Sequence, residues 1–123
     1  MKLTSVYFSA TFTTRRVVDY VSRRLSDQVT KYDITNDAST DEVLLAADEV
    51  LVVGIPVYAG RVPVMAVDRI RRFKGKGSRA VAIAVYGNRH YDDALLELSD
   101  ILSENGFQVI SAGAFLAQHS IFP

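Results

Sequence analysis

The apolar positions of the chain fall into two patterns, continuous runs and helical repeats. Continuous apolar runs are typical of strands that are buried on both faces of a parallel sheet. Such runs, some with a few polar interruptions, occur at residues 3–8, 50–55, 79–85 and 107–116. Residues 28–34 alternate between polar and apolar, which predicts one more strand, at a sheet edge. The pattern therefore predicts five strands.

Apolar residues that recur every three or four positions predict helices between these strands. Three such stripes occur: Val17, Val18, Val21 and Leu25; Met65, Ala66, Ile70 and Phe73; and Leu95, Leu98, Ile101 and Leu102. The second helix is expected to end at Gly75 or Gly77, and the third at residues 105–106. A short fourth helix is predicted at residues 40–47, after a segment rich in turn and cap residues.

Strands that alternate with helices predict an α/β domain with a parallel sheet, right-handed crossovers and helices on both faces. The predicted architecture is a single domain, residues 1–123, built as a three-layer sandwich around five parallel strands in the order 2-1-3-4-5. In such sheets ligands bind outside the carboxyl ends of the strands, where the strand order switches. The first, third and fourth strands are neighbours in this order, so the loops that follow them should meet at one rim.

Composition narrows the classes of function. The chain has 123 residues, and its 14 basic residues balance 14 acidic ones, which gives no support for nucleic acid as a partner. The absence of cysteine excludes disulfides, thiolate catalysis and iron–sulfur ligation by this chain. Two histidines that are far apart in sequence argue against a zinc site. No apolar run has the length of a membrane span, and residues 1–4 show no signal peptide, so a cytoplasmic location is predicted.

The loop after the first strand is rich in hydroxyl groups and leads into a helix. Its hydroxyl residues are Ser9, Thr11, Thr13 and Thr14. Hydroxyls and backbone N–H groups at a helix N-terminus form a site for an anion, above all a phosphate. The alternative is simple helix capping, for which Ser and Thr are the usual residues. Four hydroxyls exceed what one cap needs, so we favour the phosphate site.

The loops after the third and fourth strands carry tyrosines. Tyr58 lies on one loop, and Tyr86 and Tyr91 lie on the other. Facing aromatic rings can enclose a flat heterocycle. Glycines, at positions 60 and 87, let backbone amides approach a ring edge closely, and Asn88 could add a hydrogen bond. A phosphate at one end and a flat ring at the other describe a mononucleotide such as FMN. For any single tyrosine, a role as a half-buried packing residue is an equal alternative.

At these loops the chain resembles the flavodoxin superfamily. The resemblance is closest to the flavodoxin half of flavodoxin–ferredoxin (iron–sulfur flavoprotein) fusion proteins. It rests on YFSATFTTRR at residues 7–16, GIPVYAGRVP at 54–63 and YGNRHYDDAL at 86–95, with further likeness at residues 112–115 and 119–120. These segments follow one another at the family's spacing and cover most of the chain.

The resemblance implies an FMN cofactor and electron transfer to or from a redox protein or an iron–sulfur module, which could be fused downstream. No catalytic side chain and no metal are implied. The hydroxyl loop would hold the phosphate, and the other two loops would flank the isoalloxazine ring. By position, the implied cofactor-binding residues are Ser9, Thr11, Phe12, Thr13, Thr14, Pro56, Val57, Tyr58, Ala59, Gly60, Tyr86, Gly87, Asn88, Arg89 and Tyr91.

The chain departs from the family pattern in two places. Phe12 stands where the family usually has glycine, which is costly if that position needs a positive φ or a close backbone approach. The chain also ends just after the fifth strand, where the family continues with a fifth helix. We therefore expect an open apolar area beside the first and third strands. Either the chain is truncated before that helix, or it buries this area by self-association.

Two other functions stay open on the sequence. One is an FMN-dependent NAD(P)H:quinone-type reductase. The other is a cofactor-free, flavodoxin-like interaction module, which Phe12 favours. A phosphoacceptor receiver domain shares the strand order but needs an acidic cluster at the first strand, and residues 5–9 have none.

Charged residues on the helices have simpler interpretations. Arginines and lysines of the second helix region (Arg69, Arg71, Arg72, Lys74 and Lys76) are expected to form a solvated surface, with docking of an acidic partner as the alternative. Asp92 and Asp93 fall in the first turn of a helix, where the dipole favours negative charge, so a structural role is expected for them.

Overall fold

The protein is represented by a computed structural model that describes residues 1–9, 13–57, 60–87 and 92–117. The described residues form ten elements. They are β1 (Lys2–Tyr7), α1 (Thr13–Leu25), β2 (Gln28–Asp33), β3 (Val43–Leu44), β4 (Val50–Pro56), α2 (Val64–Ile70), β5 (Phe73–Lys74), β6 (Ser78–Tyr86), α3 (Asp92–Glu104) and β7 (Phe107–Leu116).

The five longer strands form one parallel sheet in the order β2-β1-β4-β6-β7. Counted among themselves in chain order, these strands are arranged 2-1-3-4-5, so the predicted fold class and strand order are confirmed. The strands at the centre are the most apolar. The first six residues of β4 are all buried, because this strand has a neighbour on each side and a helix layer on each face.

Alternate residues of the strands point into two separate cores. In β6, Ala80, Ala82 and Ala84 face α2 and α3, in a core that also contains Ile70 and Leu98. The intervening Val81, Ile83 and Val85 face the other side, where Val18 of α1 packs. The helices therefore lie on both faces of the sheet, with α1 on one and α2 and α3 on the other, which is the expected three-layer arrangement.

A glycine sets the distance between α1 and the sheet. A Cβ atom built on Gly54, in the middle of β4, would lie 2.2 Å from Val18 Cγ2 and 3.3 Å from Thr14 Cγ2. The helix α1 therefore packs closely against β4 at Gly54, where the strand has no side chain. The residues of α1 that are buried against the sheet are Thr14, Val18 and Ser22. Leu25, which we placed in the apolar stripe of this helix, is 45% exposed.

The predicted helix at residues 40–47 is wrong, because this segment contains the short strand β3. The strand pairs in parallel with β5 and forms a second, two-stranded sheet. Leu45 N–H donates to the Lys74 carbonyl oxygen at 2.8 Å, which continues the pairing. Before β3, Asp37 and Ser39 accept hydrogen bonds from the backbone N–H groups two residues ahead. Such local bonds compete with a helix, and the tertiary pairing then decides the conformation.

The second helix is shorter than its apolar spacing predicted. It ends at Ile70 rather than at Gly75 or Gly77, because Phe73 and Lys74 belong to β5. Phe73 is fully buried as predicted, but it reaches the core from a strand. Met65, which we placed in the buried stripe, is 53% exposed. The third helix and the last strand have the predicted extents, and Gly106, with φ 92°, separates them.

Candidate functional site

The carboxyl ends of β1, β4 and β6 lie side by side. In the sheet register Tyr7 is the partner of Gly54, and Pro56 is the partner of Val85. Backbone hydrogen bonds extend this pairing past the strands: Phe8 N–H donates to the Gly54 carbonyl oxygen at 3.1 Å, and Val57 N–H donates to the Val85 carbonyl oxygen at 2.9 Å. The three predicted loops therefore leave the sheet from one rim.

The structure describes about half of the residues that we placed in the site. Those described are Ser9, Thr13, Thr14, Pro56, Val57, Gly60, Tyr86 and Gly87. The others, Thr11, Phe12, Tyr58, Ala59, Asn88, Arg89 and Tyr91, lie outside the described residues, and their roles stay predictions.

At the end of β1, the Ser9 hydroxyl lies against the N-terminus of α1. Its oxygen accepts a hydrogen bond from the backbone N–H of Arg15 at 3.3 Å. Thr13 is half-buried in the first turn, whereas Thr14 is only 3% exposed and places its methyl group near Gly54. The first turn contains no acidic residue, so the positive end of the helix dipole is not neutralised there. This combination of hydroxyl, backbone amides and dipole suits an anion.

Glu97 of α3 holds the loop that follows β4. The Arg61 guanidinium donates to both oxygens of this carboxylate, at 3.1 and 3.2 Å, and the Val62 N–H donates to it at 3.2 Å. The hydrogen bond from Arg61 is the main reason why the pKa of Glu97 is lowered. Gly60, just before this contact, has φ 79°, a conformation that favours glycine. Sequence reasoning missed Glu97, because only the packing of α3 against the loop brings the two together.

β6 leads into the third loop at Tyr86 and Gly87. Tyr86 is half-buried, and its carbonyl oxygen accepts a hydrogen bond from Ala117 N–H at 2.8 Å. Gly87 is exposed, and among the described residues no atom lies within 4 Å of a Cβ atom built on it.

Thr35, which follows β2, is a contact of the site that sequence reasoning missed. The Ser9 backbone N–H donates to the Thr35 hydroxyl oxygen at 2.9 Å. The predicted strand order could have indicated that the residues after β2 lie near the loop after β1, because these two strands are parallel neighbours and end at the same edge of the sheet. The hydrogen bond itself joins residues 26 positions apart and has no local pattern.

Most of the basic residues that we expected on a solvated surface instead make contacts within the protein. Arg71 bonds to Glu104 at 2.9 Å, Lys74 to Asn105 at 3.4 Å and Arg69 to backbone carbonyls. The Arg72 side chain is only 8% exposed, pairs with Asp37 at 3.0 Å and lies 5.1 Å from the centre of the Phe73 ring. A backbone N–H of Ser39 and the Arg72 guanidinium together lower the pKa of Asp37. Arg69 and Arg72 therefore hold the segment between β2 and β3 against α2 and β5.

Within the described parts of the chain, no group of three or more histidine, aspartate or glutamate side chains could hold a metal ion. No described helix is long and apolar enough to cross a membrane.

The parallel 2-1-3-4-5 sheet with helices on both faces defines a flavodoxin-like α/β protein. No family model and no curated protein match the sequence. Among solved structures, the chain is similar to a candidate flavoprotein from Bacteroides uniformis (TM-score 0.67, 16% identity, 97% of this chain and 94% of that chain covered). A second neighbour is a candidate flavoprotein from Bacteroides eggerthii (TM-score 0.65, 16% identity, 96% and 89% covered).

A third neighbour is a flavoprotein from Lactobacillus acidophilus that was solved in complex with FMN. It has a TM-score of 0.61 and 12% identity, and the match covers 92% of each chain. At these identities the likeness establishes a shared fold, over nearly the whole length of both proteins in each pair.

Proposed function

We propose that the chain is an FMN-binding, flavodoxin-like electron-transfer domain. The observation that carries this proposal is the meeting of the ends of β1, β4 and β6 at one rim, where the first strand leads through Ser9 into the N-terminus of α1. The FMN complex of the Lactobacillus acidophilus neighbour, which shares the fold, supports the choice of ligand.

The described residues fit a phosphorylated flat ring. Ser9 and Thr13 offer hydroxyls beside a helix N-terminus that has no acidic residue in its first turn, which suits the phosphate. The other two loops each carry a glycine, Gly60 with φ 79° and Gly87, and in this proposal these glycines let the backbone approach the ring closely. In this proposal Pro56, Val57 and Tyr86 line the ring on its two sides.

The bound flavin would supply the redox chemistry, because it can accept and donate electrons. The residues of this chain would bind the phosphate, orient the ring and limit the access of water to it. The Arg61–Glu97 contact would keep the loop after β4 in place beside the ring. No side chain is required to act as an acid, base or nucleophile.

We propose that the partner is a redox protein or an iron–sulfur module. The chain has no cysteine, so any iron–sulfur cluster would be held by another domain or another protein. Electron transfer then requires that the flavin edge stays accessible at the rim.

Flavin titration tests the binding step. Purified protein is added to a fixed concentration of FMN, and flavin fluorescence is recorded. We expect quenching that saturates at micromolar protein or below, because stacking on the tyrosine loops quenches the ring. Unchanged fluorescence at high micromolar protein would reject FMN binding and favour the cofactor-free interaction module.

Redox assays on the FMN-loaded protein separate the two flavin-dependent functions. An electron carrier, once reduced with dithionite, should be reoxidised rapidly by an added ferredoxin and should oxidise NADH or NADPH slowly. Rapid, quinone-dependent oxidation of NADH or NADPH would instead identify a reductase.

A further inference from the structure

The loop that joins β1 to α1, called the anion loop from here on, is held at its first residues by a contact from the segment after β2. Ser9 N–H donates to Thr35 Oγ1 at 2.9 Å, although the two residues are 26 positions apart. Thr35 lies two residues beyond the end of β2, next to β1 in the sheet. The backbone N–H of Ser9 is therefore used within the protein, and its position depends on a threonine of another loop.

The Thr35 hydroxyl is itself oriented by a carboxylate. A hydroxyl has one proton to donate, and the Asp33 Oδ1 atom lies 2.6 Å from Thr35 Oγ1, whereas the Ser9 carbonyl oxygen is 3.4 Å away. The shorter contact takes the proton, which turns a lone pair of the hydroxyl towards Ser9 N–H. Asp33 also accepts a hydrogen bond from Thr35 N–H at 3.0 Å, so it fixes both the backbone and the side chain of Thr35.

Arg69 of α2 supports this arrangement from the outside. Its guanidinium donates to the Ile34 carbonyl oxygen at 2.9 Å and also to the Thr35 carbonyl oxygen. It lies 6.0 Å from the centre of the Phe8 ring, immediately before Ser9. Hydrogen bonds from a charged donor are stronger than neutral ones, so the segment after β2 is restrained on two sides.

We propose that Thr35 is a positioning residue for the anion loop and that it sets the affinity for the phosphate end of the ligand. By holding the Ser9 backbone, Thr35 keeps the Ser9 hydroxyl at the N-terminus of α1, where it meets Arg15 N–H at 3.3 Å. In the sheet order β1 separates β2 from β4 and β6, so the inference assigns Thr35 to the phosphate end of the ligand and not to the ring. This inference rests on the proposed function and deepens it.

The test compares FMN with riboflavin, which has the same ring and no phosphate. Thr35→Val removes the hydroxyl, and Thr35→Ser keeps it. Thr30→Val is the matched control, because it makes the same change at an exposed position within β2. We expect Thr35→Val to weaken FMN binding about tenfold and riboflavin binding less than about twofold, with Thr35→Ser and Thr30→Val close to wild type.

Equal losses for both flavins, or no loss for either, would overturn the role of Thr35. Should Thr35→Val fail to fold, Asp33→Asn replaces it, and a selective loss for FMN is again expected because the hydroxyl is no longer oriented by a charge. Hydrogen exchange of the Ser9 amide gives a readout that is independent of flavin. We expect faster exchange in Thr35→Val than in wild type, and unchanged exchange would contradict the proposed contact.

Failure of the proposed function can be recognised separately. If wild-type protein binds neither flavin, the flavin-binding function is rejected, and inorganic phosphate is titrated instead. Phosphate-induced shifts of the amide signals of residues 13–15 in wild type, absent in Thr35→Val, would still support a positioned anion site. No shifts in wild type would overturn the inference as well.

Discussion

At the residue scale, the absence of a side chain at Gly54 determines how closely α1 packs on the sheet. Val18 Cγ2 occupies the space that a Cβ atom of residue 54 would need, at a separation of 2.2 Å. Non-bonded carbon atoms cannot approach each other this closely, so a larger residue must push the helix away or distort β4. The glycine that interrupts an apolar run is thus a packing requirement of the neighbouring helix.

We predict that Gly54→Ala destabilises the protein by about 1–3 kcal/mol, because an added methyl group overpacks the contact with α1. Urea unfolding followed by circular dichroism measures the change. Gly113→Ala in β7 is the control, since a Cβ atom there would lie at an ordinary distance of 3.6 Å from Phe115 Cε1. We expect the control to change stability by less than about 0.5 kcal/mol.

Combining Gly54→Ala with Val18→Ala tests whether these two side chains cause the effect. Val18→Ala alone should destabilise by leaving a cavity, but in the double variant the shortened side chain makes room for the new methyl group. We expect the double variant to be more stable than the sum of the single changes implies. Strict additivity would show that the strain at Gly54 arises elsewhere.

At the element scale, the pairing of β3 with β5 explains why the helix that the local sequence pattern predicted at residues 40–47 does not form. Leu44 and Leu45 are adjacent, yet Leu44 is 65% exposed and Leu45 is 1% exposed. Val43 N–H donates to the Arg72 carbonyl oxygen at 2.9 Å, so the backbone bonds run to β5 rather than along a helix. Adjacent side chains point to opposite sides of a strand, and this alternation decides which leucine enters the core.

This arrangement predicts very different costs for two identical substitutions. Leu45→Ala should destabilise by about 2–4 kcal/mol, because it empties a buried site. Leu44→Ala should change stability by less than about 0.5 kcal/mol, because its side chain already lies in solvent. The free energy of unfolding in urea measures both. Similar costs for the two leucines would contradict the strand and favour a helical segment.

At the scale of the whole molecule, the two helix layers differ in coverage and in charge. Among the described residues, α1 is the only helix on its face of the sheet, while α2 and α3 share the other. The α1 sequence carries four arginines and one aspartate, whereas α3 carries five acidic residues and no basic one. The net charge of zero therefore conceals a basic helix on one face of the sheet and an acidic helix on the other.

The open apolar area that we expected beside β1 and β4 is not found among the described residues, since Leu3, Tyr7 and Val52 are buried. Self-association is instead expected through the exposed apolar part of β7, on the α1 side of the sheet. Phe115 is 39% exposed and pairs in register with Val85, which packs in the α1-side core. We predict that size-exclusion chromatography with light scattering shows a dimer or larger species at high concentration and that Phe115→Lys restores a monomer. A monomer at every concentration would count against this surface.

Leu116→Lys is the matched control for the association. Leu116 is 48% exposed and adjacent to Phe115, but it pairs in register with Tyr86 and therefore lies on the opposite face of β7. The lysine at this position should leave the association unchanged. High salt should not dissociate the oligomer, because burial of apolar surface, and not attraction between charges, stabilises it.

By itself the sequence determined the five long strands, since the period of buried apolar residues follows directly from strand and helix geometry. Their order and the rim where three loops meet followed from the fold class that the alternating strands and helices and the family resemblance imply. Only the tertiary structure decided the β3–β5 pairing, the inward contacts of Arg69 and Arg72 and the bond from Ser9 to Thr35. Those interactions join segments 26 to 35 positions apart, such as Arg69 with Ile34, and the choice of partner depends on which elements the whole chain brings together.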